Sequence, residues 1–245
     1  YEDFISHFGI NSLPSIKSIK GLTNLIIEDE KLVTNDKIFL WEIKNPESVG
    51  LDINEVNNLM DFVKSEGSNT QAAILIIGSS IIAEYYADNF DKNSVVTSWS
   101  VAKSFTSTLI GIAIDEGYIN SIEDPITDYL PEWKNQDQDK ILLKHLLSMR
   151  SGMEDHGFVY VVPDMVSHSL DRDIIRPPGV AFRYSNEDSM LLGEIIKNAT
   201  GMSFQEYADK KVFNLIGADE TWWTDQEGNT ITYASIDMTL SLIHI

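Results

Sequence analysis

The pattern of apolar and polar positions predicts a helix, a β-hairpin and then a mostly helical region. Apolar residues recur at helical spacing over 53–63, and two β-rich runs at 72–77 and 81–86 flank Gly78, a glycine-first turn typical of hairpins. Beyond residue 100 the spacing becomes helical, with predicted helices over residues 141–149, 190–199 and 204–213. The polar lead, residues 1–50, carries only short apolar patches and is predicted to be loop with short strands.

Composition limits the partners. The 245 residues carry a formal net charge of −20, which argues against nucleic acid because phosphate binding needs clustered Lys and Arg. No apolar run approaches the roughly twenty residues that a membrane span needs. The count of 0 cysteines excludes disulfides and thiolate metal sites. A secreted or cytoplasmic soluble enzyme fits these limits, and composition decides little more.

Ser100 and Lys103 stand three residues apart, where an extended stretch ends and an apolar helix begins. On a helix this spacing puts both side chains on one face, so that an amine with a lowered pKa can take the proton of the serine hydroxyl. The positive end of the helix dipole and apolar packing both lower the pKa of a lysine placed there. The pair predicts an acylation centre. The alternative is a helix start with Ser100 as its cap and Lys103 as a solvated charge.

Tyr184 lies in a Pro- and Gly-rich loop just before a helix that Ser185 or Asn186 can cap. From such a loop the phenol can project into a cleft, where a nearby ammonium favours the phenolate and makes it an acid and base. The alternative is a buried tyrosine with a hydrogen-bonded hydroxyl. His156 lies on another loop, which could rim the same cleft.

Four linked blocks of sequence stand out within residues 72–239. They are Ser100-Val101-Ala102-Lys103-Ser104-Phe105-Thr106, Asp124-Pro125-Ile126 with Tyr129-Leu130-Pro131-Glu132-Trp133, Lys144-His145-Leu146-Leu147-Ser148-Met149-Arg150-Ser151-Gly152-Met153, and Pro178-Gly179 with Phe182-Arg183-Tyr184-Ser185-Asn186. In order and approximate spacing they resemble serine hydrolases of the class C β-lactamase type, with D-alanyl-D-alanine carboxypeptidases, β-lactamase-like esterases and 6-aminohexanoate-dimer hydrolases. Trp99 and Trp133 look most like the esterase and amide-hydrolase branch.

The resemblance implies an α+β fold of the β-lactamase/transpeptidase type, an antiparallel sheet flanked by helices with a mostly helical insert. It implies Ser100 as nucleophile, Lys103 as its base, and Tyr184 as the group that relays protons to and from the leaving group. The backbone N–H of Ser100 is implied as one oxyanion donor. Asn186 is implied to hold the substrate or to hydrogen-bond the Lys103 amine. No cofactor or metal is implied. Substrate contacts are expected from Asn186, Trp99 and His156.

The domain organisation follows from the resemblance. Residues 1–50 are the lead, and residues 51–239 are a partial domain with the hairpin at 72–87 and a mostly helical region at 100–225. The sequence lacks the Lys-Thr-Gly or His-x-Gly signature of the family's C-terminal strand, which carries the second oxyanion donor. Residues 240–245 match the translation of a transposon-end sequencing adaptor. We therefore expect a truncated reading frame without the last sheet strands and with a non-native tail; the alternative is a natural shorter variant.

Other candidate sites fail on their spacing. Asn135, Asp137 and Asp139 alternate like a calcium loop, but a lysine occupies the required glycine place, so a solvated loop is predicted. The histidines lack the paired helical spacing of zinc ligands. No Gly-x-Ser-x-Gly elbow supports an α/β-hydrolase. Trp222 and Trp223 are expected in the core, with lining of an acyl pocket as the alternative.

The sequence predicts a serine hydrolase that forms an acyl-enzyme from an ester, amide or peptide substrate. One alternative is a penicillin-interacting carboxypeptidase or β-lactamase with the same residues; another is a non-catalytic binding domain in which Ser100 is structural. Loss of one oxyanion donor lowers turnover roughly 10²- to 10³-fold, so the truncated chain is expected to be weakly active or inactive. The start at Tyr1 suggests a removed leader or a cut front, and a periplasmic or secreted location is slightly favoured. Substrate identity and oligomeric state stay open.

Overall fold

A computed structural model describes residues 42–134, 136–157, 159–216, 220–234 and 236–239. The expectations for the first part of the lead, for Asn135 and for the 240–245 tail lie outside these residues. Short strands and helices alternate along the described chain. The strands are β1 (Glu42–Ile43), β2 (Ala72–Ile77), β3 (Ser80–Tyr86), β4 (Val95–Thr97), β5 (Glu220–Trp222) and β6 (Ile236–Thr239). The helices are α1 (Ile53–Lys64), α2 (Ala102–Asp115), α3 (Leu143–Leu147), α4 (Met165–Leu170), α5 (Asn186–Thr200), α6 (Phe204–Ala208) and α7 (Asn214–Ile216).

The predicted hairpin is present as β2 and β3, which pair antiparallel from Ile77 opposite Ser80 to Ala72 opposite Tyr86. Gly78 has a φ of 60°, in the left-handed region that the turn requires. Strand β1 adds to the other side of β3 in parallel, so the antiparallel hairpin expected from the sequence is part of a mixed sheet. The reason is the connection: α1 carries the chain from β1 to the hairpin, and parallel pairing needs such a long crossover.

A second sheet, with strand order β4-β6-β5, is antiparallel throughout and was not predicted. Strand β5 interrupts the region expected to be mostly helical. These strands have 3 to 4 residues each, too few for the apolar alternation that reveals a strand in sequence. The Ser98 N–H extends the pairing by donating to the Ile236 carbonyl at 2.9 Å. The sheet therefore holds the chain just before Ser100.

Helices α2 and α5 form the centre of the main apolar core. Their buried faces include Leu109 and Ile110 of α2 and Leu191 and Ile195 of α5. Burial of such side chains contributes about 1.5–3 kcal/mol each before the cost of ordering them. The two helices carry the residues of the candidate site at their N-terminal ends.

The predicted helices differ from the observed ones mainly at their ends. Helix α5 begins four residues before the predicted start because the Ser185 hydroxyl accepts a hydrogen bond from the Asp188 N–H at 3.0 Å and caps it. Helix α3 covers only the middle of residues 141–149. The predicted helix at 204–213 is α6 followed by a π-helical turn, Asp209–Phe213. Helix α1 closely matches its prediction.

Candidate active site

Ser100 lies in a single 3-10 turn, Trp99–Val101, between β4 and α2. Trp99 has a φ of 49°, and this left-handed residue reverses the chain between strand and helix. Helix α2 begins only at Ala102, with no side-chain cap on the preceding residue. Ser100 is therefore not a helix cap, and its exposed hydroxyl is available for another interaction.

The structure brings the Ser100, Lys103 and Tyr184 side chains together. The Ser100 Oγ lies 2.7 Å from the Tyr184 hydroxyl oxygen, and the Lys103 Nζ donates to the same Oγ at 3.3 Å. The Nζ also lies 4.7 Å from the centroid of the Tyr184 ring. An alcohol, an amine and a phenol thus meet at one point, although 84 positions separate Ser100 from Tyr184 in the chain.

The Lys103 amine is held between this cluster and the main chain. Its Nζ donates to the Tyr233 carbonyl at 2.5 Å. Burial lowers the pKa of Lys103, and the interaction with Tyr184 opposes part of that shift. A lysine with a lowered pKa is more often the free amine near neutral pH, the form that can accept a proton.

The Tyr184 phenol is half exposed, so it is not a buried core tyrosine. Burial alone would raise its pKa, but the hydrogen bonds with Lys103 and Ser100 outweigh that effect and lower it. Both groups favour the phenolate, because each can donate a proton toward the phenolate oxygen and Lys103 is a cation whenever it is protonated. The phenol can therefore accept a proton from one neighbour and return it to another.

The Tyr233 carbonyl was not found from the sequence, since a main-chain acceptor leaves no motif. Its position is fixed through the preceding residue. The Thr232 hydroxyl donates to the Ser189 carbonyl at 2.7 Å, and the Thr106 hydroxyl donates to the Thr232 carbonyl at 2.8 Å. Helices α2 and α5 thus both hold the segment that receives the Lys103 amine.

A buried ion pair holds the segment that follows Tyr184. The Arg172 Nη2 donates to the Asp188 Oδ1 at 3.1 Å, and both side chains are about 1% exposed. The Ser151 hydroxyl donates to the same carboxylate at 3.0 Å, and the Arg172 Nη1 reaches the Ser185 hydroxyl at 3.4 Å. Burial raises the pKa of Asp188, and Arg172 lowers it in part. Ser151 and Ser185 belong to two of the sequence blocks, but Arg172 and Asp188, which form the ion pair, stand in none of them.

Asn186 was expected either to hold the substrate or to hydrogen-bond the Lys103 amine, and its side chain instead bonds to a tyrosine. Its Nδ2 donates to the Tyr160 hydroxyl at 2.9 Å, and its buried Oδ1 has no hydrogen-bond partner among the described residues. Of the two expected roles, the hydrogen bond to the Lys103 amine is not formed: the described bonds of that amine go to Ser100 and to the Tyr233 carbonyl. The tyrosine partner was not predicted.

The remaining residues singled out in the sequence lie around the Ser100, Lys103 and Tyr184 cluster or away from it. Trp99 is exposed beside the nucleophile candidate. The His156 Nε2 lies 2.7 Å from the Glu154 Oε1, and its ring packs on His168. Glu154 and Asp155 line a small cleft with Arg183 and Ser185, which flank Tyr184 in the chain. Trp222 is buried against Phe204 and Phe213, whereas Trp223 is exposed and donates to Asp237.

Two further features bound the site. The part of the chain that the structure describes contains no group of three or more His, Cys, Asp or Glu side chains placed to hold a metal ion. Within the same residues, no helix is both long and apolar enough to cross a membrane.

The described α+β arrangement has the fold of β-lactamase-type serine hydrolases. A solved class C β-lactamase mutant superposes with a TM-score of 0.64 at 14% identity, over 80% of this chain and 65% of that one. The Beta-lactamase family model matches residues 60–240, and the chain belongs to that family.

Two curated relatives extend the comparison. A β-lactamase of Escherichia coli K12 is 33% identical over 132 residues, 50% of this chain and 33% of the relative. A 6-aminohexanoate-dimer hydrolase of Paenarthrobacter ureafaciens is 27% identical over 186 residues, 66% of this chain and 47% of the relative. The chain thus spans between a third and a half of the length of these relatives.

Proposed function

We propose that the protein is a serine hydrolase that cleaves an ester or amide bond through an acyl-enzyme on Ser100. The observation that carries the proposal is the convergence of the three groups, with the Ser100 Oγ at 2.7 Å from Tyr184 and 3.3 Å from Lys103. Both distances are compatible with proton transfer after small adjustments. Membership of the Beta-lactamase family supports the same class of chemistry.

In the acylation step, the Ser100 Oγ bonds to the substrate carbonyl carbon while its proton passes to the free Lys103 amine. The carbonyl oxygen becomes an oxyanion, for which the Ser100 N–H is the assigned donor. Tyr184 then gives a proton to the departing oxygen or nitrogen as its bond to carbon breaks. Lys103 returns a proton to Tyr184, so the acyl-enzyme forms with no net gain of protons.

Deacylation reverses the proton path with water as the nucleophile. Tyr184 passes its proton to the Lys103 amine and takes a proton from the attacking water, and the bond between the acyl carbon and Ser100 Oγ breaks. Lys103 restores the proton to Ser100, and the carboxylic acid product leaves. One general base step of this kind contributes typically 10²- to 10⁴-fold to the rate.

Substrate contacts are assigned to the residues around this point. Trp99 presents an exposed ring next to Ser100, and Asn186 lies two positions after Tyr184. His156 directly follows two residues that line the cleft beside Tyr184. No cofactor is required by the mechanism. Small esters, amides or short peptides are the proposed substrates.

A fluorophosphonate probe tests the proposal directly, because it modifies only an activated serine. In the full-length protein we expect stoichiometric label on Ser100 and none in Ser100→Ala. Ser104→Ala is the matched control, since that serine is exposed on α2 four positions after Ser100 and should not affect labelling. Lys103→Met and Tyr184→Phe should each slow labelling about 10²-fold or more.

The alternatives give different outcomes in the same experiment. An unlabelled wild-type protein with a normal melting curve would favour the non-catalytic binding domain. Labelling of Ser100 by a fluorescent penicillin, without turnover of p-nitrophenyl butyrate, would favour the carboxypeptidase or β-lactamase function. The names of the curated β-lactamase relatives justify including that probe.

A further inference from the structure

Tyr160 contacts two parts of the candidate site with one side chain. It lies in the 3-10 turn Val159–Val161, and its hydroxyl accepts the hydrogen bond from the Asn186 Nδ2 at 2.9 Å. Its ring packs edge-to-face on the Tyr233 ring, with centroids 5.3 Å apart and an interplanar angle of 79°. The side chain is nevertheless 55% exposed. The rest of this tyrosine is open to solvent beside the site.

Tyr233 links the Tyr160 ring to the amine. Its carbonyl accepts from the Lys103 Nζ at 2.5 Å, and its ring centroid lies 5.6 Å from the same atom. Tyr233 is itself fully buried. Contacts therefore run from Lys103 through Tyr233 and Tyr160 to Asn186, which stands two positions from Tyr184.

We propose that Tyr160 is a positioning residue of the active site with two separable functions. Its hydroxyl fixes the orientation of the Asn186 amide, and its ring keeps water away from Tyr233 and thereby from the Lys103 amine. The inference rests on the proposed function, because it assigns Tyr160 to the same Ser100-centred chemistry.

The hydroxyl function follows from the geometry of the Asn186 amide. The two ends of an amide differ only in donor and acceptor character, and Tyr160 is the hydrogen-bond partner of its nitrogen end. Without that partner the amide is free to rotate, so substrate contacts with it weaken. Loss of one neutral hydrogen bond corresponds to roughly a three- to tenfold change in binding.

The ring function follows from what surrounds Lys103. Its described neighbours are Ser100, Tyr184 and Tyr233, and no carboxylate contributes to its titration. Burial is therefore the main influence that lowers the pKa of the amine. Removing the Tyr160 ring would uncover Tyr233 and admit water, and the amine would then hold its proton to a higher pH.

Two substitutions separate the functions. Tyr160→Phe removes only the hydroxyl, and we expect KM for p-nitrophenyl butyrate to rise about three- to tenfold with an unchanged pH midpoint of kcat/KM. Tyr160→Ala also removes the ring, and we expect the acidic limb of that profile to move to higher pH. If the acidic limb of the kcat/KM profile moves equally in both variants, or in neither, the assignment is overturned.

Tyr118 supplies the matched control. It forms the same kind of edge-to-face pair with a buried tyrosine, Tyr207, with centroids 6.3 Å apart, and it is 43% exposed. It follows the C-terminal end of α2, whereas Ser100 precedes the N-terminal end. Tyr118→Phe and Tyr118→Ala should leave both KM and the pH midpoint unchanged.

A second measurement does not depend on turnover. NMR of the protein with ¹³C-labelled lysine side chains follows each amine through its titration, and Lys103→Arg assigns the relevant signal. We expect Tyr160→Ala to raise the midpoint of the Lys103 signal and Tyr160→Phe to leave it unchanged. An unaltered midpoint in Tyr160→Ala would refute the ring function even if the hydrolase proposal failed.

Discussion

The two edges of the candidate site are held by different kinds of interaction. On the Ser100 edge, neutral groups predominate: the Ser98 N–H bonds to the second sheet, and the Thr106 hydroxyl bonds to the Thr232 carbonyl. On the Tyr184 edge, the buried Arg172–Asp188 ion pair joins the loop to α5. One geometry is thus maintained by hydroxyl and main-chain bonds on one side and by charges on the other.

The difference between the edges predicts how each responds to damage. A hydroxyl that is removed leaves one unsatisfied neutral partner, at a cost of about 1–3 kcal/mol. A charge that is removed leaves the opposite charge buried, which typically costs about 3–5 kcal/mol. The Tyr184 edge should therefore be the more fragile one, although its ion pair need not add more net stability than apolar residues of the same volume.

The largest effect is expected from Arg172→Met, which leaves Asp188 without its cation. We expect the free energy of unfolding to fall by about 3–5 kcal/mol in urea denaturation. Lys140→Met is the matched control, because it breaks an ion pair with Asp137 whose side chains are 69% and 78% exposed, and it should leave the free energy of unfolding nearly unchanged. Equal effects of the two variants would remove the distinction between the edges.

An intermediate effect is expected from Gly193→Ala on α5. An added Cβ would lie 2.4 Å from the Thr232 Cγ2, so Thr232 would be pushed from the position in which it holds the Tyr233 segment. Overpacking of this kind costs about 1–3 kcal/mol, less the roughly 1 kcal/mol that alanine gains over glycine in a helix.

Gly111→Ala on α2 is the control for that substitution, since nothing lies within 4 Å of its added Cβ. It should stabilise the protein by up to about 1 kcal/mol. Thermal unfolding of both variants distinguishes packing at Thr232 from helix propensity. If Gly193→Ala and Gly111→Ala both stabilise the protein, Thr232 can move away from the added Cβ without loss of stability.

The smallest effect concerns a titratable group in the sheet that supports the Ser100 edge. Burial raises the pKa of Glu220 to about 8, with further contributions from Asp209. The folded state therefore keeps a proton that the unfolded state loses near pH 4.5, so the stability it contributes is complete below that pH and disappears as pH rises toward 8. Solvent screens this half-buried group and limits the size of the change.

Glu220→Gln tests that pH dependence, since the amide cannot ionise. We expect the wild-type Tm to decline more steeply between pH 5 and 8 than the Tm of the variant, as measured by scanning calorimetry. Parallel curves would indicate that the Ser100 edge is insensitive to pH, and the contrast with the charged edge would then be sharper.

Short motifs were sufficient to predict which side chains meet at the site. Ser100 and Lys103 could be placed on one face because helix geometry is local, and the predicted hairpin is present as β2 and β3. Tyr233 lies 130 positions from Lys103 and contributes only a main-chain carbonyl, so no pattern of side chains could reveal it. The roles of the individual residues stay predictions until the labelling experiments are done.

Arg172 and Tyr160 were missed for a related reason. Each acts through long-range contacts, Arg172 with α5 and Tyr160 with Asn186 and Tyr233, and neither stands in a recognisable motif. One of the two expected roles of Asn186, the bond to Lys103, is not formed because the amide nitrogen donates to Tyr160, which stands outside the motifs. Strands β5 and β6 were missed because 3 or 4 residues carry too little periodicity.

The left-handed backbone of Trp99 restricts which amino acids position 99 accepts. A residue with a Cβ pays about 1–2 kcal/mol in that conformation, and a β-branched side chain fits it worst. A saturation library screened only for folding should thus enrich Gly, Asn and Asp at this codon and deplete Val, Ile and Thr. If the same library selected for turnover instead keeps an aromatic residue at position 99, that preference reflects contact with the ligand, because the backbone alone does not favour an aromatic residue there.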